Sequence, residues 1–258
     1  MPGPIFALER AHEVLHGLIA SSRRGVGFTG AGISTECGVP DFRSPDSPWA
    51  RLFPIDFKTF QSSPTMRAEA WRRKFAMDDL YAGARPGRGH RALAALVGSG
   101  KLIGVITQNI DGLHQASGLG PEHVIELHGN GTYAACIGCG ARHELVDIRA
   151  SFDAAGVAPD CACGAPIKSA TISFGQAMPQ GQMRRAREAT LACDLFLAIG
   201  SSLVVYPAAG FPTLAKDNGA TLVIINREAT PLDGPADVVI RGEIGDVLAP
   251  FAESTVAA

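Results

Sequence analysis

GFTGAGISTECGVPDFRS (residues 27–44) is the stretch on which the reading of the fold turns. In form, Gly25-x-Gly27-x-x-Gly30 satisfies the G-x-G-x-x-G pattern of dinucleotide-binding turns. Its first two glycines fall inside the apolar run GVGFT (25–29), which reads as a strand, so the match is out of register. The turn that can face a phosphate is Gly30-Ala31-Gly32, where missing side chains let backbone N–H groups approach an anion at the start of the next segment. A nucleotide site survives this reading better than a hydride-transfer site does.

Outward from that strand, the chain alternates short apolar runs with helical stretches. GVGFT, LIGVIT (102–107), VIEL (124–127), LFLAIG (195–200), TLVIIN (221–226) and DVVIRG (237–242) have strand length but no polar alternation. Strands covered by helices on both faces of a parallel sheet read this way. Between them, Leu8, Leu15, Leu18 and Ile19 share one helical face, as do Leu93, Leu96 and Val97. The expected fold is α/β, a Rossmann-like doubly wound parallel sheet. In such sheets ligands bind beyond the carboxyl ends of the strands. Gly30, Gln108, Asn109, His128, Gly200, Ser201 and Asn226 each follow a predicted strand closely, so one face collects them.

Composition sets the limits. The chain has 258 residues, 46% hydrophobic and 19% charged, enough for a large domain with a smaller insertion. A net charge of −2 gives no overall attraction to nucleic acid or an anionic membrane, and no partner of either kind is expected. Glu9 and Glu13 interrupt the region where a secretory signal needs an apolar run, and no run approaches transmembrane length. A cytoplasmic location is expected, so the six cysteines read as metal ligands or free thiols. The oligomeric state is not legible.

Residues 134–170 break the α/β rhythm. Cys136-x-x-Cys139 and Cys161-x-Cys163 form two close pairs with Gly138, Gly140 and Gly164 beside them, the arrangement of a closed tetrahedral zinc site. Cys161 fits least well, because its pair is one residue short of C-x-x-C. Four thiolates leave no coordination position for substrate, so the zinc is expected to be structural. The expected domains are 1–133 with 171–258, and a zinc-binding module at 134–170. Cys193 reads as core, and Cys37 lies in a loop.

Taken together, GAGIS (30–34), PDFR (40–43), TQNIDGLH (107–114), ELHG (126–129), the paired cysteines, ISFG (172–175), GSSLVVYPAA (200–209) and VIINRE (223–228) resemble the sirtuins, the NAD-dependent protein deacylases. The resemblance implies a cleft between the two domains where NAD meets an acylated lysine peptide. It implies that the acyl oxygen attacks the anomeric carbon as nicotinamide leaves, with His128 as general base on a ribose hydroxyl. Asn109 and Asp111 match positions that orient the ribose and engage the carboxamide, and Gln108 and Ile110 lie with them. Gly30, Ala31, Gly32 and Ser34 match the phosphate turn. Phe42 matches the aromatic that shields the sugar, flanked by Asp41 and Arg43. Gly200, Ser201 and Ser202 match phosphate or ribose contacts, and Asn226, Arg227, Glu228 and Ile244 match the adenosine end. Ile172, Phe174 and Gly175 match the strand that pairs with the substrate backbone; Gln176 replaces a commonly acidic residue, which bears on peptide preference.

Ordinary structural roles stand beside these. Asp111 can cap the helix after NID, the serines can cap helices, and Phe42 can be core. His114 reads as part of the TQNIDGLH turn, while His12, His16, His90, His123 and His143 have no motif support. An NAD-linked dehydrogenase needs an acidic residue closing a second strand about twenty residues past the turn, where this chain has the loop-like SPDSPWARLF. A zinc-ribbon binding module leaves the strand-end residues unused. Mono-ADP-ribosyl transfer is the rival within the family. The family branch that removes acidic acyl groups carries a Tyr-x-x-Arg pair; here the segment reads AEAWRRKF, so uncharged acyl groups, acetyl foremost, are expected.

Overall fold

A computed structural model of the chain describes residues 3–41, 47 and 53–252. The strands in chain order are β1 (Gly25–Thr29), β2 (Leu102–Thr107), β3 (Val124–Glu126), β4 (Gly129–Cys136), β5 (Arg142–His143), β6 (Ile167–Thr171), β7 (Leu195–Ile199), β8 (Thr221–Ile225) and β9 (Val238–Ile240). Among the described residues, six form a parallel sheet ordered β3-β2-β1-β7-β8-β9. Each run read as a strand lies in it. The order reverses at β1, whose neighbours lead away in opposite directions, and that creates the crevice at the strand ends.

Both faces of the sheet are covered, which explains the missing alternation. On one face Leu195, Leu197, Val223 and Ile225 pack with helices α1 (Leu8–Ser21), α4 (Arg88–Gly98) and α9 (Ile244–Ala252). On the other, Val26, Phe28, Phe196 and Ile224 meet α7 (Gln180–Ala192) and α8 (Gly210–Asp217). Each such side chain taken from water contributes roughly 1.5–3 kcal/mol. On α1, Leu15 and Ile19 are buried, but Leu8 at the first turn is exposed.

The remaining strands form an antiparallel sheet ordered β5-β4-β6. Its core joins Ala134, Cys136, Cys161 and Ile167 to Ile148 and Phe152 of α6 (Leu145–Ala155), and to Trp71 and Phe75 of α3 (Pro64–Leu80). Helix α2 (Phe57–Ser62) leads into α3. Trp71 donates its indole N–H to the Ile167 carbonyl at 3.3 Å, and Arg149 of α6 pairs with Asp79 of α3 through two bonds of 2.6 and 2.8 Å. Helix α3 thus packs on this sheet from outside residues 134–170. The basic run on α3 is held by its own acids: Glu69 takes Arg72 and Arg73, and Asp78 takes Lys74.

The chain passes between the sheets at Gly129, directly after His128. Gly129 has φ +72°, and a Cβ there would strike the Ala170 carbonyl. The return passage is bonded to it, Ile172 N–H donating to the His128 carbonyl at 2.7 Å. Gly129→Ala combines a left-handed backbone with a backbone collision and is expected to cost roughly 1–3 kcal/mol. A lowered denaturation midpoint checks this; an unchanged midpoint contradicts it.

Candidate active site

The glycine turn is built by close approach of two strand ends. A Cβ on Gly30 would lie 2.7 Å from the Gly200 carbonyl oxygen, and one on Gly32 would lie 2.8 Å from the Gly200 Cα. Gly200 itself has φ +62°. The N–H groups of Gly30 and Gly32 are not turned outward: they donate to the carbonyls of Ile199 (3.0 Å) and Gly200 (2.9 Å). The glycines serve this approach, and the intervening Ala31 N–H has no hydrogen-bond partner among the described residues. An anion at the turn therefore has one amide of the three to meet, fewer than the glycine pattern alone implies.

The end of β2 lies against this turn. Gln108 donates to Ser201 Oγ at 2.8 Å, and Asn109, buried, donates to the Gly30 carbonyl (3.1 Å) and Ser34 Oγ (3.2 Å). Ser34 donates in turn to Asp111 Oδ2 at 2.7 Å, while Leu113 N–H donates to Oδ1 at 2.9 Å. Asp111 therefore caps α5 (Leu113–Ala116) and faces the turn at once. Ile110 is bound through its backbone, its carbonyl accepting from Gly131 N–H at 2.7 Å.

His128 is half-buried, with Nδ1 3.0 Å from the Gln108 carbonyl. A carbonyl only accepts, so Nδ1 carries the hydrogen and Nε2 keeps the lone pair. Burial pushes the imidazole pKa below its ordinary 6.5, against the opposing pull of the Gln108 carbonyl. The ring is thus a neutral base with a fixed tautomer.

The other expected residues lie along the crevice and its rims. Ser201 is buried and Ser202 half-buried after β7. Ile244 opens α9 and touches both Gly200 and Gly89. After β8, Asn226 donates to the Glu228 carbonyl (2.9 Å), and exposed Arg227 pairs with Glu243 at 3.5 Å. Asp41 is half-buried and accepts Ser47 Oγ–H at its carbonyl; Phe42 and Arg43 lie outside the described residues. Ile172 follows the end of β6 directly, and Phe174 and Gly175 form a turn beyond it, where a strand was expected. Gly175 has φ +77°, and Gln176 closes the turn by accepting from Ser173 N–H at 3.1 Å. Phe174 is exposed, and its carbonyl accepts from Phe57 N–H at 2.9 Å.

Away from the crevice, the sulfurs of Cys136, Cys139, Cys161 and Cys163 all lie within 4.8 Å of one another. Cys161 is in the cluster despite its short spacing. The N–H groups of Cys139 and Gly138 donate to Cys136 Sγ (3.4 and 3.3 Å) and draw that thiol down to about 6. All six cysteines are free thiols, and this donor set fits a closed tetrahedral metal site.

The Sir2 family model matches residues 30–207, from the first glycine of the turn to the proline that ends GSSLVVYP. The chain belongs to the Sir2 family. Two similar relatives are the NAD-dependent protein deacetylase 1 of Bradyrhizobium diazoefficiens, 60% identical over 93% of this chain and 94% of its own, and the NAD-dependent protein deacetylase of Rhodopseudomonas palustris, 59% identical over 95% and 97%. A solved structure of Sir2 with a p53 peptide and NAD+ matches with a TM-score of 0.79 at 36% identity, covering 93% of this chain and 94% of that one.

In this Sir2 chain two further histidines border the site: His90, which has no motif support, and His114, read as part of the TQNIDGLH turn. His90, fully buried, accepts Gly87 N–H at Nδ1 (3.3 Å), so its Nε2–H points to Ser34 Oγ at 3.4 Å. His114 lies tilted beside it, ring centres 4.9 Å apart, and bonds Thr29 Oγ1 at 2.8 Å. His90 precedes Leu93 by three and Val97 by seven residues, so extending that apolar face back one turn would have placed it inside.

Burial holds His114 neutral, its pKa lowered to about 3 with His90 adding to the effect. The unfolded chain then binds a proton that the folded chain refuses as pH falls below the ordinary value. The stability is complete above about pH 6.5 and drains by about 1.4 kcal/mol per pH unit below it. His114→Gln keeps an N–H for Thr29 and removes this proton, so its stability is expected to fall less steeply between about pH 6.5 and about pH 5. Parallel slopes in chemical denaturation would contradict the assignment.

Proposed function

We infer that the crevice holds NAD along the Gly30–Ser34 turn and that His128, Asn109 and Asp111 carry its chemistry. The chain is an NAD-dependent protein lysine deacylase that transfers the acyl group to ADP-ribose with release of nicotinamide. NAD supplies the electrophilic sugar carbon to which the acyl oxygen adds. Asp111, with both carboxylate oxygens engaged by Ser34 and Leu113, offers its remaining lone pairs to the carboxamide. Asn109 keeps its side-chain oxygen for an incoming donor, both of its side-chain bonds being made through Nδ2. His128 Nε2 accepts the proton of a ribose hydroxyl. The observation that carries the reading is the fixed tautomer of His128, which leaves a basic nitrogen on a half-buried ring beside the β2 end. Acylated peptides are the partners, along the Ile172–Gly175 rim.

The expected product is free nicotinamide, formed from NAD only when an acetyl-lysine peptide is present. Product masses separate deacylation from ADP-ribosyl transfer to protein. Run in parallel, succinyl-lysine peptide is expected to react more slowly, because Arg72 and Arg73 are both engaged by Glu69 and no tyrosine accompanies them. His128→Ala is expected to lower kcat/KM by roughly 100-fold or more. A base must be neutral to act, and this one is depressed, so the rising acid limb of kcat/KM lies below the ordinary 6.5. Near wild-type turnover in the variant, or a limb at or above that value, would remove His128 from the role.

The four-thiol cluster binds zinc, which supplies folding energy and no open coordination position. The smaller unit comprises 134–170 with α3 docked on it, and 1–133 with 171–258 supply the rest. Purified protein is expected to hold one zinc per chain, and Cys136→Ser to lose it and melt at lower temperature; metal analysis decides. Among the described residues no helix is long and apolar enough to cross a membrane, and a cytoplasmic location is part of this proposal.

A further inference from the structure

Glu36 stands two residues beyond GAGIS, in a single 3-10 turn (Thr35–Cys37). Its Oε1 accepts Gly89 N–H at 3.1 Å, and its Oε2 accepts Arg88 Nε–H at 3.2 Å. Arg88 continues to Asp246 Oδ1 at 2.6 Å. Gly89 is in the first turn of α4 and Asp246 in the first turn of α9, so one carboxylate draws the amino ends of two helices together. Helix amino ends carry partial positive charge, which favours an anion between them. The room for it is specific: a Cβ on Gly87 or on Gly245 would run into the Glu36 carboxylate.

What this knot aligns is the cofactor crevice. Ile33, within the phosphate turn, and Ile244, the first of α9, meet over Gly200 and again over Gly89. Glu36 adjoins the first and, through Arg88 and Asp246, fixes the second. The carboxylate therefore sets the spacing between the phosphate end and the adenosine end without being among the residues that would touch the nucleotide. Its side chain is 24% exposed, so a mere surface ion pair would contribute little. The backbone bond and the two glycine vacancies mark a built seat.

We propose that Glu36 is a positioning residue for NAD, holding the Gly30–Ser34 turn in register with the amino end of α9. The proposal rests on the NAD-dependent reading of the crevice. Glu36→Gln keeps the shape and removes the charge; Gly245→Ala keeps the charge, crowds both the Glu36 carboxylate and the Arg88 guanidinium out of the seat, and improves helix propensity in α9. With NAD varied at saturating acetyl-lysine peptide, both variants are expected to raise KM for NAD about tenfold while leaving kcat and the peptide KM within about twofold. Calorimetric titration with NAD should show the same loss in Kd, with zinc content and circular dichroism unchanged. Equal KM and Kd for NAD in wild type and both variants, with only the melting temperature altered, would make Glu36 a structural clamp and overturn the proposal. A wild type that binds NAD yet does not deacylate refutes the proposed function instead, and the Kd comparison still decides the role of Glu36.

Discussion

Where β1 and β7 end side by side, Gly30 and Gly32 lie against Gly200 with no space for a Cβ on any of the three. The two strands run in register from Gly25 opposite Leu195 to Thr29 opposite Ile199, and the turn continues that pairing by giving its amides to β7. Everything at the crevice is measured from this contact. It brings Ser34 within reach of Asn109 and Asp111, sets Ser201 against Gln108, and lets Ile33 and Ile244 close over the same glycine. A side chain inserted here would part the two halves of the sheet at the point where their order reverses.

The site is also defined by what stays uncharged. His90, His114 and His128 each have a pKa lowered by burial. A carbonyl fixes the tautomer of one, a backbone N–H that of another, and a threonine hydroxyl takes the third. With three neutral rings at the β1–β2 end, Asp111 is oriented by hydrogen bonds from neutral donors and has no histidinium to neutralise it. Its capacity to accept is kept for whatever enters.

How far the sequence carried depends on whether a residue's partner was near it in the chain or implied by a repeated pattern. The six runs of strand length predicted the parallel sheet because burial on both faces erases alternation within each run. The cysteine pairs predicted their cluster, although the C-x-C spacing made Cys161 the weakest member and gave no sign that backbone N–H donors surround Cys136. His128 was legible as a strand-end residue in ELHG; its tautomer was not, since the Gln108 carbonyl that fixes it belongs to another strand. Trp71 and Phe75 sit in a helix that also carries Arg72, Arg73 and Lys74, and nothing local shows that its apolar face closes over Ile148 and Phe152. His114 was legible as part of the TQNIDGLH turn, but His90 was passed over because a buried neutral histidine looks like any other in a string of letters. ISFG was expected to be strand from the family resemblance alone, while Gly175 and the Gln176 side chain turn it.

His128 is joined to Gly129 on one side, and its own carbonyl is held by Ile172 on the returning strand. At those two points the chain passes from one sheet to the other, so the base sits at the joint between the sheets, while α3 has its own connections to the larger one. For any rotation of one sheet against the other about that line, displacement grows with distance from it. The thiol cluster and the outer end of α3 would sweep the longest arcs, and the imidazole the shortest. A cleft built on this plan can widen at its lips for a bulky chain while the nitrogen that takes the proton keeps its place.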